Sequence, residues 1–118
     1  MDPGRLSRTA EREIYKAQRD RSCTIASISL WELAQMFQSH QLRGVGSIEN
    51  SIGAILDDTG VKVLEITPEI ADLSMAFPES YPKDPSDRLI GATARAYGLT
   101  LLTRDEKILN SPLIRAIW

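Results

Sequence analysis

The chain has 118 residues, of which 42% are hydrophobic and 25% are charged, and its formal net charge is -2. This length and composition indicate one globular domain and exclude a disordered or fibrous chain. The weak negative charge excludes a protein that coats nucleic acid through a broad basic face, so any nucleic-acid chemistry must be local.

Three features of the sequence exclude further classes of protein. The single cysteine, Cys23, excludes an internal disulfide and fits a reducing cytoplasm, where we expect a small buried side chain. The single histidine, His40, cannot build a histidine metal site, and we expect it in an exposed loop. No apolar run reaches about 18 residues, and residues 1–10 lack the apolar stretch of a signal peptide, so we expect no membrane segment and no export.

Helices and short apolar strands alternate along the chain. The helical spacing of Leu6, Ala10 and Ile14, with Ser7 as a capping residue, predicts a first helix, and β-branched runs predict the strands. The predicted elements are helix 7–19, strand 24–28, a helix from Ser29, helix 48–60, strand 61–66, helix 68–77, helix 85–97, strand 100–103, short helix 105–110 and an edge strand within 113–118. Apolar strands separated by helices predict an α/β fold with a mostly parallel sheet covered by helices.

Acidic residues recur where this topology turns from strand to helix. Glu32 follows the strand 24–28, Asp84 and Asp87 open the helix 85–97, and Asp105 directly follows the strand 100–103. In a parallel α/β layer these positions face the same edge of the sheet, so we expect the carboxylates to lie close together.

Each of these acids also has a purely structural interpretation. Ser29 and Glu32 have the spacing of a capping box, Asp84 precedes a proline at the first helical position, and first-turn acids favour the helix dipole by about 0.3 to 1 kcal/mol each. Several carboxylates at one edge would nevertheless repel one another, and a bound cation removes that repulsion. Oxygen ligands without a histidine or cysteine cluster select Mg²⁺ or Mn²⁺, which can activate water for attack on a phosphodiester.

Three stretches, "SLWELA", "DPSDRLIGATARAYGLTLLTRD" and "IRAIW", resemble the PIN domain of VapC-type toxins over essentially the whole chain. The resemblance implies an α/β/α sandwich and a Mg²⁺- or Mn²⁺-dependent ribonuclease toxin that is silenced by a cognate antitoxin and is expected to form a homodimer. It places Glu32, Asp87 and Asp105 at three of the four acidic catalytic and metal-binding positions, with Asp84 as a frequent companion. Arg88 and Arg104 fall on motif positions and could bind the phosphate of the substrate, or pair with a neighbouring aspartate.

The start of the sequence departs from the family pattern. Members of the family begin with a central strand that ends in an aspartate, whereas this sequence begins at the loop after that strand, and Asp2 has no strand before it. We therefore expect the domain, residues 1–118, to lack its first central strand. Its loss would leave two unpaired strand edges and an open slot in the core. Either the strand lies upstream of a misassigned start, or the chain is a degenerate remnant, or another segment takes the place of the strand, and we favour the first two explanations.

Two other functions are consistent with the residues. An inactive remnant of the toxin could still bind an antitoxin or dimerise through the apolar face of its first helix. A phosphoacceptor receiver-like domain also gathers acids at strand ends, but it needs a lysine on a separate strand, and Asp105 is followed by Glu106 and Lys107.

Among the aromatic residues, Tyr81 is the best candidate for contacting a base, while Trp31 and Trp118 suit core or dimer packing.

Overall fold

The computed structural model describes residues 7–118, so Asp2 and Leu6 lie outside the described part of the chain. None of the helices in that part is long and apolar enough to cross a membrane. The helices and strands, in chain order, are α1 (Arg8–Arg19), β1 (Thr24–Ala26), α2 (Ile28–Gln38), α3 (Ile48–Thr59), β2 (Lys62–Leu64), α4 (Pro68–Met75), α5 (Pro85–Tyr97), β3 (Leu101–Leu102), α6 (Glu106–Leu109) and β4 (Ala116–Ile117).

The helix ends follow the capping residues read from the sequence. The Ser7 and Thr67 side chains accept the backbone N–H groups of Ala10 and Ile70, which starts α1 and α4 at the predicted places. Helix α5 occupies Pro85–Tyr97, as predicted, and ends at Gly98 with a φ of 63°, a left-handed conformation that favours glycine.

Helix α2 begins earlier than predicted. Its first residue is Ile28 and its N-cap is Ser27, which makes no side-chain capping bond, so the capping box of Ser29 and Glu32 is wrong. The Ser27 N–H still donates to Leu64 in the ladder, while its carbonyl accepts the Leu30 N–H of the first turn. The chain therefore passes from strand to helix without a loop, and Glu32 lies one residue beyond the first turn.

The strands form two parallel ladders, which fits the predicted α/β class. Strand β1 pairs with β2, and β3 pairs with the edge strand β4. Within residues 7–118 no strand joins these two ladders into one sheet. The strands are also shorter than predicted, at two or three residues each, because an apolar run marks a buried segment but not how far its ladder extends.

The best-packed part of the molecule lies around α4 and α5. Ile70, Phe77, Tyr81 and Ala92 are buried there together with Ile108 of α6. A cavity of about 600 Å³ lies between β1 and β3, lined also by α1 and α5. Cys23 lines this cavity and is only partly buried, so the expectation of a buried cysteine is wrong. His40 is exposed, as predicted.

Candidate metal-binding carboxylate site

The start of α5 presents two acids one turn apart. Asp84 caps the helix, with its Oδ1 accepting the Ser86 N–H at 2.8 Å, and Pro85 occupies the first helical position. Asp87 lies in the first turn, and its backbone carbonyl accepts the Tyr81 hydroxyl at 2.8 Å. The Asp87 backbone is therefore fixed from the side of the protein core, while its carboxylate makes no hydrogen bond within the described residues.

Asp105 is held by the turn that follows β3. Its Oδ1 accepts the backbone N–H groups of Lys107 at 2.8 Å and Ile108 at 3.2 Å, which starts the short helix α6. Its own N–H donates to the Thr103 hydroxyl at 3.1 Å. Oδ1 of Asp105 thus caps α6, and the other carboxylate oxygen accepts no hydrogen bond from the described residues.

Electrostatics place the predicted acids in one region. The pKa of Asp87 is raised, first by burial and then by the negative charges of Asp84, Asp105 and Glu32. These three residues lie on different elements and act on the same carboxyl group. We call these four residues the acid cluster, and its role as a shared site stays a prediction.

No basic side chain forms an ion pair with the acid cluster within the described part of the chain. The ion pair recorded there joins Arg19 and Asp20, at 3.9 Å between Nε and Oδ1, on the exposed end of α1. No ion pair of the described residues therefore offsets the repulsion within the cluster.

The acid cluster is not a closed metal site. Across residues 7–118, no three histidine, cysteine or acidic side chains stand close enough to hold an ion between them. The donors are nevertheless all oxygens, as a hard cation requires. In addition, the Ser86 hydroxyl in the first turn of α5 is buried without a hydrogen-bond partner, a feature that the sequence did not signal. Carboxylate oxygens are the donors that a hydrated Mg²⁺ or Mn²⁺ takes, and metal binding by this set stays a prediction.

Arg88 contacts the backbone of the preceding loop. Its guanidinium donates to three backbone carbonyls of the preceding loop, those of Pro82 at 3.0 Å, Phe77 at 3.1 Å and Pro78 at 3.5 Å. It pairs with no aspartate among residues 7–118, and its role in substrate binding stays a prediction. The observed contacts tie the start of α5 to the loop that carries Asp84.

Arg104 is exposed and lies above the ring of Trp118, 5.9 Å from the ring centre. It therefore holds the end of the chain near the turn that carries Asp105, without pairing with that aspartate. Trp31 is 57% exposed, which contradicts core packing for this side chain within the described residues.

Tyr81 is a structural residue rather than a base-contacting one. Only 1% of it is exposed, and its ring stacks on Phe77 with 4.0 Å between ring centres. Burial, and then the charges of Asp87 and Asp105, raise the pKa of its hydroxyl. The expectation that it contacts a base is therefore wrong. The sequence signal for its true place was Gly91, where an added Cβ would collide with the Tyr81 hydroxyl.

Comparison with known proteins identifies the family. The PIN domain family matches residues 4–111. A curated relative, "Ribonuclease VapC22" of Mycobacterium tuberculosis (strain ATCC 25618 / H37Rv), is 33% identical over 107 residues, which cover 91% of this chain and 78% of the relative.

Proposed function

Because the chain belongs to the PIN-domain family, among relatives of VapC type, we propose that it is a ribonuclease toxin that cuts RNA with Mg²⁺ or Mn²⁺ at the acid cluster. The observation that supports the proposal is the electrostatic effect of neighbouring acids on the Asp87 carboxyl group. Asp84, Asp105 and Glu32 all act on its carboxyl group, and no described cation side chain offsets them.

Each acid has a separate task in this proposal. Asp87 and Asp105 offer carboxylate oxygens that no described donor occupies, so they are the candidate direct ligands. Glu32, partly exposed on α2, would contact the hydration shell, and Asp84 would add negative charge while capping α5. A bound divalent ion supplies charge compensation at the phosphoryl oxygens and lowers the pKa of water.

The two arginines have different roles in this proposal, one in substrate binding and one in structure. Arg104 is exposed beside Asp105, so it is the better candidate for a phosphate contact. Arg88 already uses its guanidinium on three carbonyls, so its main contribution would be to keep the loop 77–84 and the start of α5 in place.

The partners expected for such a toxin are an RNA, a cognate antitoxin and a second copy of the chain in a homodimer, all in the cytoplasm. The exposed Trp31 on α2 supports a contact surface near Glu32. Sedimentation velocity of the purified protein tests the homodimer: a Trp31→Ala variant should shift the population towards monomer, and an unchanged distribution would place the dimer contact elsewhere.

The direct test of the activity is cleavage of a labelled single-stranded RNA. We expect cleavage with Mn²⁺ or Mg²⁺, none with a chelator, and a loss of at least about a hundredfold in Asp87→Asn and Asp105→Asn, since such acids act together on one step. Glu69→Gln, an exposed first-turn acid on α4, is the matched control. Retained antitoxin binding without any RNA cleavage would instead indicate an inactive remnant.

A further inference from the structure

Helix α1 carries a row of cations on one exposed side. Its basic residues recur at intervals of three or four positions, which places them on the same side of a helix, and all are exposed: Arg8, Arg12, Lys16 and Arg19. We call these four residues the basic stripe. Successive members lie about 5 to 6 Å apart along the helix axis, which makes a regular ladder of positive charge.

An exposed aromatic side chain lies within the basic stripe. Tyr15 comes three positions after Arg12 and four before Arg19, so it projects from the same side of α1. It is 71% exposed, and its ring stacks on no other ring of the described residues. A single exposed aromatic residue is ordinary on a protein surface, but one flanked by cations matches the composition of a nucleic-acid surface.

The acids of α1 leave most of the basic stripe unneutralised. Glu13 lines the cavity between β1 and β3, on a different side of the helix, while the exposed Glu11 borders the stripe. The ion pair recorded among residues 7–118 joins Arg19 to Asp20 at the end of the helix. No described acid therefore forms an ion pair with Arg12 or Lys16.

The apolar side of α1 faces the protein. Ala10 is fully buried, and Ile14 and Ala17 line the cavity between β1 and β3. A basic amphipathic helix that binds a membrane surface needs its apolar side free to insert, and α1 does not offer that side. The basic stripe is therefore suited to a polyanion in solution.

The direction of α1 relates the basic stripe to the acid cluster. Helix α1 ends at Arg19, a short loop follows, and β1 begins at Thr24, while α1 and β1 line the same cavity. This connection predicts that α1 runs back along β1, with its first turn towards the edge where β1 ends and α2 begins. Glu32 lies on α2 beyond that edge. The stripe would then lead from the acid cluster along the side of the molecule.

We propose that the basic stripe binds the backbone of single-stranded RNA, with a base stacked on Tyr15, and guides the strand to the acid cluster. This inference rests on the proposed ribonuclease function and adds a binding surface to it. A single strand supplies regularly spaced phosphates for the cations together with unpaired bases for the ring. An acidic peptide would use the cations but not the ring.

The test measures binding of a labelled RNA of about ten nucleotides by fluorescence anisotropy, with a chelator present so that metal-dependent cleavage does not interfere. The stripe is weakened by Arg12→Gln combined with Lys16→Gln, because glutamine keeps the helix propensity. Each lost phosphate contact on a single strand lowers the slope of log affinity against log salt by about 0.7. We expect the slope to fall by about 1.4, which corresponds to about 25-fold weaker binding at about 0.1 M salt relative to 1 M.

Tyr15→Leu separates stacking from charge. The leucine keeps an apolar side chain of good helix propensity but removes the ring. We expect at least about fivefold weaker RNA binding with the salt slope unchanged.

Matched controls lie on other elements. Lys62→Gln combined with Arg95→Gln removes two exposed cations from β2 and α5, and Tyr97→Leu removes an exposed ring at the end of α5. These variants should bind RNA as the native chain does. RNA binding with these properties by a chain that cuts no RNA with Mn²⁺ would uphold the basic stripe and refute the proposed activity.

Three outcomes would overturn the proposal. The first is no measurable RNA binding by the native chain, and the second is an equal loss in the two double variants, which would indicate bulk charge alone. The third is full affinity in Tyr15→Leu together with displacement of the RNA by a polyglutamate peptide of equal charge, which would identify a site for acidic peptides.

Discussion

Among single residues, Asp87 shows most directly how repulsion within the acid cluster affects folding stability. Its folded-state pKa lies above the ordinary value of 3.8, so the folded protein holds a proton on this group more tightly than the unfolded chain does. The contribution of Asp87 to stability is therefore complete below the ordinary pKa and is lost as the pH rises through the raised pKa.

Asp87→Asn should consequently stabilise the metal-free protein at neutral pH. We expect a gain of under about 1 kcal/mol, because solvent screens a partly exposed group and the helix dipole favours the lost charge. The gain should shrink as the pH falls from about 7 towards about 3.5. Urea unfolding across this range measures it, and Glu69→Gln on α4, which shares the dipole effect without the cluster, is the control. A destabilised Asp87→Asn protein at neutral pH would contradict the repulsion.

Arg88 is the residue whose role the sequence could not predict. Its motif position predicts a charge near the acids, but three carbonyls of the loop 77–82 occupy the guanidinium. Arg88→Lys keeps the charge and loses the fork of donors, so we expect about 1.5 to 3 kcal/mol of destabilisation in thermal unfolding. Arg95→Lys, exposed in the last turn of α5, should change stability by under about 0.5 kcal/mol. Equal effects of the two changes would show that the carbonyl contacts carry little free energy.

At the scale of elements, α5 was predictable because its signals are local. A proline at its first position, an aspartate cap and a terminal glycine fix Pro85–Tyr97 without reference to the rest of the chain. The lengths of the strands were not predictable, because a ladder extends only as far as its neighbour does. The predicted start of α2 was wrong because two serines, Ser27 and Ser29, could each cap the helix. The hydrogen bond from the Ser27 N–H to the Leu64 carbonyl favours Ser27.

Alanine substitutions at two helical glycines distinguish the effect of packing from the effect of helix propensity. A Cβ at Gly91 of α5 would collide with the Tyr81 hydroxyl and lie 2.8 Å from Cδ1 of Ile114, whereas a Cβ at Gly53 of α3 would meet nothing within 4 Å. Gly91→Ala should therefore destabilise the protein by about 1 to 3 kcal/mol. Gly53→Ala should stabilise it by roughly 0.5 to 1 kcal/mol. Thermal unfolding of both variants tests the pair, and a stabilised Gly91→Ala protein would show that α5 and Tyr81 pack less tightly than described.

At the scale of the whole molecule, acids that are remote along the chain affect one carboxyl group. Glu32 on α2 and Asp105 after β3 both raise the pKa of Asp87 on α5, which fits helix starts and strand ends that share an edge. Among the described residues no three acids stand close enough to hold an ion between them, so the shared site stays a prediction. The two separate ladders of the described residues fit the expected lack of a central strand. The sequence could not predict that Arg88 and Arg104 would both be engaged away from the carboxylates.

The central claim is that the acid cluster shares a hard divalent cation. Electron paramagnetic resonance of Mn²⁺ titrated into the protein measures this most directly, because free and bound Mn²⁺ give distinct signals. We predict saturable binding by the native chain and a loss of at least about tenfold in affinity when Asp87→Asn and Asp105→Asn are combined, with Glu69→Gln unchanged. Binding of equal affinity in the double variant would contradict the claim.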